Sequence, residues 1–492
     1  MKITIIGAGL GGLATACLLA SKGNRVSVYE KNGNAGGKMN TLEAEGFRFD
    51  TGPGLLTMPE VLEKVFTFCG VKLSNHLELI PLNPLCKYFY TDGAVFKNYR
   101  DLESNINEIE CFAPQEVKAF TNFLDYSQGL YAKTADAYIF NPLFNFQDIR
   151  GLNFSSFLGI DAFTTIGKRV DSRFESPHLR SFFKRFATYN GSSPLQAPAT
   201  LNVIPHVEIN KGAFYVKGGL YKIIEALTEL ASSLGVNFHF DSKIEQIIIQ
   251  DSQAAGIRLS GGKEIHSHLI VANSDVTETI LNLIPDKAIS SRKKKKMAAV
   301  EPSCSGYVLL LGINTVYDQL EHHNVFFSED SELEFKQIFR DKIMPNDPTI
   351  YISNTSHSDP NHAPEESSNL FILVNAPSLS DQYDWNSQLN YYEDKVIQLL
   401  ENRGLTNLSK YIIYRESITP NHFNDKYSSN KGSIYGISSN SIFSAFNRPK
   451  NKSREIEKLY FTGGSTHPGG GIPLVIQSAF NVLELIDRYE RH

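Results

Sequence analysis

Six residues near the start of the chain decide most of what it can become. Gly7, Ala8, Gly9, Leu10, Gly11 and Gly12 spell G-x-G-x-x-G directly after the β-prone run Ile3, Ile5, Ile6. Leu10, Leu13, Ala14, Cys17 and Leu18 then recur at helical spacing up to Gly23. The order is strand, turn, helix. The first glycine permits the tight bend, the second lets the backbone approach a pyrophosphate, and the third lets the helix pack closely. The helix aims its unsatisfied N–H groups and positive dipole end at the phosphates. A second strand, Arg25 to Tyr29, leads to Glu30, eighteen residues beyond Gly12, where a carboxylate accepts hydrogen bonds from an adenosine ribose. The same charge repels a 2′-phosphate and disfavours NADP.

Size and composition bound the rest. At 492 residues the chain is about three typical domains long, so more than one substructure is expected. Hydrophobic residues are 41% and charged residues 21%, which is ordinary globular usage. With 48 basic and 53 acidic side chains the net charge is −5, so no global basic field gathers nucleic acid. The five cysteines carry neither a C-x-x-C pair nor a histidine cluster, which speaks against a zinc site and a disulfide framework and fits a reducing compartment. The longest clean apolar run, Tyr307 to Ile313, is far shorter than the roughly 20 residues that span a bilayer. Lys2 and the small-residue run through Ala16 imitate a secretory leader, but glycines suit such a helix poorly, and the next thirty residues make sense only if the run stays attached.

Two more glycine turns follow the ribose acid: Gly36, Gly37, Lys38, and then Gly46 through Asp50, Thr51, Gly52, Pro53, Gly54. Together with the first motif they resemble the extended FAD fingerprint of the flavoproteins that include amine oxidases, protoporphyrinogen oxidases, Rab escort proteins and carotenoid desaturases. Lys38 stands where that family usually has arginine. Further along, a helix carrying Leu220, Ile223, Ile224, Leu227 and Leu230 precedes alternating strands around Phe238, Ile244 to Ile249, Gly256 to Leu259, a Gly261-Gly262 hairpin turn, and Leu269 to Ala272. The residue matching Ile244 holds adenine through its backbone in the family. Near the end, Leu459 to Phe461 form a strand, and Thr462 through Pro473 a glycine loop that opens a terminal helix reaching about Tyr489. That loop resembles the C-terminal signature of carotenoid desaturases of the bacterial phytoene desaturase type. A helix N-terminus there suits the pyrimidine side of a flavin, where negative charge gathers on reduction.

The resemblance implies an α/β fold: a Rossmann-like FAD-binding domain of the amine oxidase/phytoene desaturase superfamily, with an inserted mixed α+β substrate domain and a helical cap. The FAD-binding domain is expected to be discontinuous, over residues 1–82, 213–298 and 447–492, with the substrate domain at 83–212 and 299–446. The expected cofactor contacts are Gly7, Gly9, Leu10, Gly11, Gly12, Glu30, Lys31, Gly36, Gly37, Lys38, Gly54, Leu55, Leu56, Ile244, Gly463, Gly464, Gly471, Ile472 and Pro473. No cysteine follows Cys304, so the FAD is expected to be non-covalent. No metal is implied.

Phe186 to Pro194, Ala197 to Leu201 and Glu301 to Ser305 also resemble the desaturases, and the run from Arg185 to Tyr189 is closest to the hydroxycarotenoid 3,4-desaturases. What this implies is 3,4-desaturation of a 1-hydroxylated acyclic or monocyclic carotenoid, with quinone or oxygen as electron acceptor. Phytoene desaturase, a redox-neutral carotenoid isomerase or saturase, an amine or porphyrinogen oxidase, and a prenyl-lipid escort protein stay open as alternatives. His206, Glu208 and Glu301 are candidate bases, and no catalytic residue is assigned. A carotenoid gains on the order of 0.8 kcal/mol per carbon in lipid, so the enzyme must collect it from a bilayer. A cytoplasmic protein docked on the inner face of the membrane is expected. The basic run Arg292 to Lys296 is either part of that contact or a solvated helix face. Tyr131, Tyr138, Phe140, Phe144, Phe146, Phe154, Phe157 and Phe163 either line a tunnel and rim or form the core of the helical cap. Trp385 is expected to be structural, and Asp359 to Glu366 a surface loop.

Overall fold

The computed structural model describes residues 1–145, 159–441 and 448–490. Its first layer is a five-stranded parallel sheet in the order Asn237–His239, Arg25–Tyr29, Lys2–Ile6, Leu269–Ala272, Leu459–Phe461. The register places Ile5 between Val28 and Val271, and Ala272 beside Phe461. Both faces are covered, which is why these strands read as nearly unbroken apolar runs. Ile3, Ile5, Val28, Leu269 and Val271 pack with helices Leu10–Ser21, Lys222–Ser233 and Ile472–Tyr489. Ile6, Tyr29, Ile270 and Ala272 instead meet Ile244, Ile247 and Ile257 of a three-stranded antiparallel ribbon formed by Ile244–Gln250, Gln253–Leu259 and Glu264–His266. Helix Leu10–Ser21 is buried along almost its entire length, so it carries no polar stripe.

A second sheet has seven strands in the order Ile412–Ile418, Ser305–Ile313, Ser368–Ala376, Ile350–Asn354, His323–Phe326, Cys86–Phe89, Val95–Asn98. All neighbours are antiparallel except His323–Phe326 with Cys86–Phe89. The apolar run seen in the sequence at Tyr307 to Ile313 lies in the strand Ser305–Ile313, which is buried at every residue. Tyr307, Leu309, Leu311 and Ile313 pack with Trp385, Val396 and Leu400 of helix Trp385–Asn402. Val308 and Leu310 pack with Phe47 and Phe49 from the hairpin that follows the dinucleotide turns. That second face joins the two sheets into one body. Trp385 has the structural role expected, stacked on Tyr307 with ring centroids 5.6 Å apart.

Four helices, Leu102–Phe112, Val117–Thr134, Ile166–Asp171 and Pro177–Arg185, pack together beside this sheet. Their core is aromatic, but with different residues from those the sequence singled out. Phe120, Phe123, Phe174, Phe182, Phe183 and Phe186 close on Tyr88 and Phe96 of the seven-stranded sheet. Among the eight aromatics considered above, Phe144 packs in the core beneath the cofactor layer, Tyr131 and Phe140 lie at its edge, Tyr138 lines an internal cavity, and Phe163 is 91% exposed. Phe146, Phe154 and Phe157 lie outside the described residues.

Asp359 to Glu366 is a surface loop as expected, with Pro360, Asn361, Pro364, Glu365 and Glu366 exposed, but two of its side chains turn inward. Asp359 and His362 are buried: Asp359 accepts from the Gly218 N–H at 3.0 Å, and His362 Nδ1 pairs with the Tyr215 hydroxyl at 3.2 Å. The short helical turn Pro360–His362 carries His362 into the joint between the sheets, while its other two residues stay exposed. The basic run forms the exposed helix Ser291–Ala298, in which Lys294 pairs with Asp286 at 2.5 Å. Among the described residues no helix is long and apolar enough to cross a membrane.

Because Leu310 is fully buried between the sheets, Leu310→Ala is expected to cost about 2–5 kcal/mol of stability. A urea titration followed by tyrosine and tryptophan fluorescence measures it, and a midpoint unchanged from wild type refutes this account of the joint.

Candidate functional site

The carboxyl ends of the parallel strands open onto the glycine turn, as a dinucleotide site in such a sheet requires. Helix Leu10–Ser21 begins at Gly9 without a side-chain cap, leaving first-turn N–H groups for an anion. The helix sits so close to the turn that a Cβ at Gly12 would stand 2.2 Å from the Gly7 carbonyl oxygen. On the other side, Asn273 fills the space a Cβ at Gly9 or Gly11 would need, with its amide atoms 2.8 Å from either position. Asn273 Nδ2 donates to the Thr462 carbonyl at 3.2 Å and so ties the first glycine turn to the last strand.

Glu30 ends its strand buried. Its Oε2 accepts from the Ala8 N–H at 2.8 Å, and its Oε1 from the Asn32 N–H at 3.0 Å and Asn32 Nδ2 at 2.8 Å. The carboxylate therefore shapes the turn and keeps lone pairs for ribose hydroxyls. Lys31 reaches across to Ser428 Oγ at 2.7 Å. Lys38 donates to the Ser433 carbonyl at 2.8 Å, and burial brings its ammonium down to about 8 against the opposing pull of Asp275. The same burial raises the Asp275 carboxyl, which Lys38 pulls back down.

The C-terminal glycine loop is bolted from several sides. Ser478 Oγ accepts from the Gly463 N–H at 2.8 Å, and Ser465 Oγ from the Val276 N–H at 2.9 Å. Arg448 donates to the Gly464 and Ile437 carbonyls at 3.2 and 3.1 Å. His467 Nε2 donates to the Asn141 carbonyl at 2.8 Å, and burial pushes its imidazole down to about 3. Gly471, at φ 100°, turns the chain into helix Ile472–Tyr489, with Pro473 in its first turn.

These parts share one cavity of ≈ 760 Å³. Of the expected cofactor contacts, all line it except Gly12 and Leu56. Gly12 packs the helix onto the turn, and Leu56 is paired with Phe214 in a short strand with its side chain in the core. Asn273, Asp275 and Arg448 also line it and were not anticipated. The signal for the first two is their position at the carboxyl end of the strand Leu269–Ala272. Arg448 left no local signal. The cradle without room for side-chain carbons, the ribose acid and the helix N-terminus fit FAD.

Beyond the cradle the same cavity continues into an apolar wall that includes Ile160, Leu201, Val203, Phe327, Phe371 and Leu373. Polar side chains interrupt it, among them Lys184, Glu334, Asn375 and a linked group of three. Arg185 Nη2 donates to the Tyr189 hydroxyl at 3.2 Å, and that hydroxyl donates to Glu208 Oε2. Tyr351 and His323 Nδ1 share a hydrogen bond of 2.8 Å nearby in the wall. Burial raises the Glu208 carboxyl while the Arg185 charge lowers it, and burial drives the His323 imidazole down to about 3. Of the three candidate bases only Glu208 reaches the cavity. His206 pairs with Asn210 and packs on Tyr131, and Glu301 is an exposed partner of Lys342.

A family model for flavin containing amine oxidoreductases matches residues 10–484. The chain belongs to that family. It is 36% identical over 494 residues to 4,4'-diaponeurosporene oxygenase of Staphylococcus haemolyticus, covering 99% of this chain and 97% of the relative. It is 36% identical over 482 residues to 4,4'-diapolycopene oxygenase of a Methylomonas species, covering 97% and 96%. The fold is similar to that of a redesigned putrescine oxidase, with TM-score 0.67 at 12% identity over 99% of both chains, and of cyclohexylamine oxidase from Brevibacterium oxydans, with TM-score 0.63 at 14% identity over 100% and 99%. The protein is an FAD-dependent oxidoreductase with the α/β fold expected from its sequence.

Glu30→Ala leaves two backbone N–H groups without their charged acceptor and removes the ribose contact. FAD affinity is expected to fall about tenfold to a hundredfold, from roughly 1.5–3 kcal/mol for a hydrogen bond to a charged group. Titrating flavin into the apoprotein checks this, and wild-type affinity would refute the assigned role. His467 is neutral in the fold, whereas in the unfolded chain it takes a proton below its ordinary value of 6.5. Its contribution to stability is therefore whole above that pH and lost as pH falls towards about 3. His467→Gln is expected to lose stability less steeply than wild type across that window in acid-titrated thermal melts.

Proposed function

We propose that this protein oxidises the end of an acyclic carotenoid of the 4,4'-diaponeurosporene class. The observation that carries this is the continuity of the cavity: the wall beyond the FAD cradle is aliphatic and aromatic, the surface a long polyene needs. The names of the two diapocarotenoid oxygenases it is similar to favour oxygenation of such a chain. When bound, FAD supplies the acceptor for a pair of electrons. The apolar wall holds the polyene in place, water supplies the oxygen atom that the chain end gains as two electrons and two protons leave it, and the tie between Asn273 and Thr462 keeps the two halves of the cradle fixed.

Desaturation of the 3,4 bond of a hydroxylated carotenoid is the second reading. It is favoured by the position of Arg185 and Tyr189, which belong to the run resembling that subgroup and stand in the cavity wall. In either case the substrate resides in lipid, so the protein works as a peripheral protein at a bilayer surface. The outward-facing Phe163 and the exposed basic helix Ser291–Ala298 support that placement. Quinone or oxygen is the final electron acceptor.

The test is the absorbance of the FAD-loaded protein mixed anaerobically with acyclic carotenoids in liposomes, then aired, with the products extracted for mass spectrometry. Bleaching of the flavin band and a product that has gained oxygen at a chain end are expected. A product that has only lost two hydrogens, formed from a hydroxycarotenoid alone, selects the second reading. A flavin band that no carotenoid bleaches refutes both.

A further inference from the structure

The polar group in the cavity wall is built from one short stretch and one neighbour. Arg185 ends helix Pro177–Arg185, Tyr189 lies one turn further in Phe186–Asn190, and Glu208 comes from the turn His206–Asn210. The guanidinium lies over the rings of Tyr88, Phe186 and Tyr189, 5.2–5.6 Å from their centroids, so it is held by faces and keeps its N–H groups free to donate. The Tyr189 hydroxyl is fully used, accepting from Arg185 and donating to Glu208. What remains is a complementary pair: among the described residues Arg185 Nη1 has no acceptor and Glu208 Oε1 has no donor, and both atoms are buried. Glu208 is 2% exposed. Native interiors do not leave a charged donor and a charged acceptor unsatisfied in the wall of one cavity without a use for them.

We propose that Arg185, Tyr189 and Glu208 form the seat for a hydroxyl group at the end of the polyene, so that the enzyme binds an alcohol more tightly than the parent hydrocarbon. This rests on the polyene reading above and adds to it the chemical state of the substrate end. A hydrocarbon end satisfies neither orphaned atom. An aldehyde accepts from Arg185 and leaves Glu208 unpaired, and a carboxylate is repelled by Glu208. A hydroxyl accepts from Arg185 Nη1 and donates to Glu208 Oε1, completing both. The element that carries Tyr189 also lies beside the C-terminal glycine loop: a Cβ at Gly191, which ends Phe186–Asn190, would stand 2.7 Å from Tyr435, and Tyr435 packs against Gly470. The arrangement is one of positioning and specificity. The class of reaction that supplies its ligand is hydroxylation of the chain end.

The experiment compares an acyclic polyene hydrocarbon, its terminal alcohol and its terminal carboxylate, each in phosphatidylcholine vesicles, binding to FAD-loaded protein as followed by the polyene's absorbance shift. Wild type is expected to bind the alcohol at least tenfold tighter than the hydrocarbon, with the carboxylate weakest. In Tyr189→Phe and in Glu208→Gln the ratio of alcohol to hydrocarbon affinity is expected to fall towards one. Flavin retention and the thermal midpoint report whether each variant has folded, and Arg185→Lys, which keeps the charge and loses the fork, replaces any that has not. An equal affinity of wild type for alcohol and hydrocarbon overturns the proposal, as does a folded Tyr189→Phe that keeps the full preference. Binding is scored separately from turnover. A preference that collapses in the variants upholds the seat even if neither ligand is oxidised, and oxidation of the hydrocarbon without any preference upholds the function and sinks the seat.

Discussion

Strand Lys2–Ile6 has Arg25–Tyr29 on one side and Leu269–Ala272 on the other, and the last strand, Leu459–Phe461, completes that edge. The glycine turn at the end of the first strand therefore has no shape of its own. It is pressed from beneath by its own helix, where Gly12 meets the Gly7 carbonyl, and from the side by the Asn273 amide, which also holds Thr462. Backbone packed against backbone at this distance tolerates no added carbon. The cofactor cradle, the placement of Glu30 and the start of the terminal helix all follow from that contact.

The seven-stranded sheet leans on the same point. Its second strand, Ser305–Ile313, sends Val308 and Leu310 towards Phe47 and Phe49, which belong to the hairpin immediately after the second glycine turn. A shift at the cofactor thus moves the substrate wall with it, since close-packed interiors transmit displacement. Several polar groups in the joint find partners distant in sequence: Asp359 with Gly218, His362 with Tyr215, and Asn369 with the carbonyl of Arg48.

The sequence was legible wherever chemistry is local. The G-x-G-x-x-G turn, Glu30 at the end of its strand and the glycine loop before Ile472 each carry their meaning in neighbouring residues, and the structure brings them to one cavity. Leu56 misled because a residue beside a motif reads like part of it, whereas alternation along its short strand turns the side chain into the core. That Asp359 and His362 anchor their loop was not legible, because their partners, Gly218 and Tyr215, are more than a hundred residues away. Aromatic residues carry no local label that separates cap core from cavity wall. Phe182 and Phe183 became core and Tyr138 became wall through the packing of helices against a sheet assembled from distant strands. Arg185 and Glu208 lie 23 positions apart and are linked through Tyr189, a relation only the folded chain displays.

The parallel sheet draws its strands from both ends of the chain and from its middle. During synthesis its fifth strand, Leu459–Phe461, is made more than 180 residues after the strand it pairs with, Leu269–Ala272. Until then the open edge of Leu269–Ala272 has no neighbour on that side and the glycine turn lacks its far wall. The nascent protein must therefore carry a large, finished-looking apolar interior without a closed nucleotide site, a state that exposes it to chaperones and to proteolysis. Docking of that strand, with helix Ile472–Tyr489 behind it, closes the site.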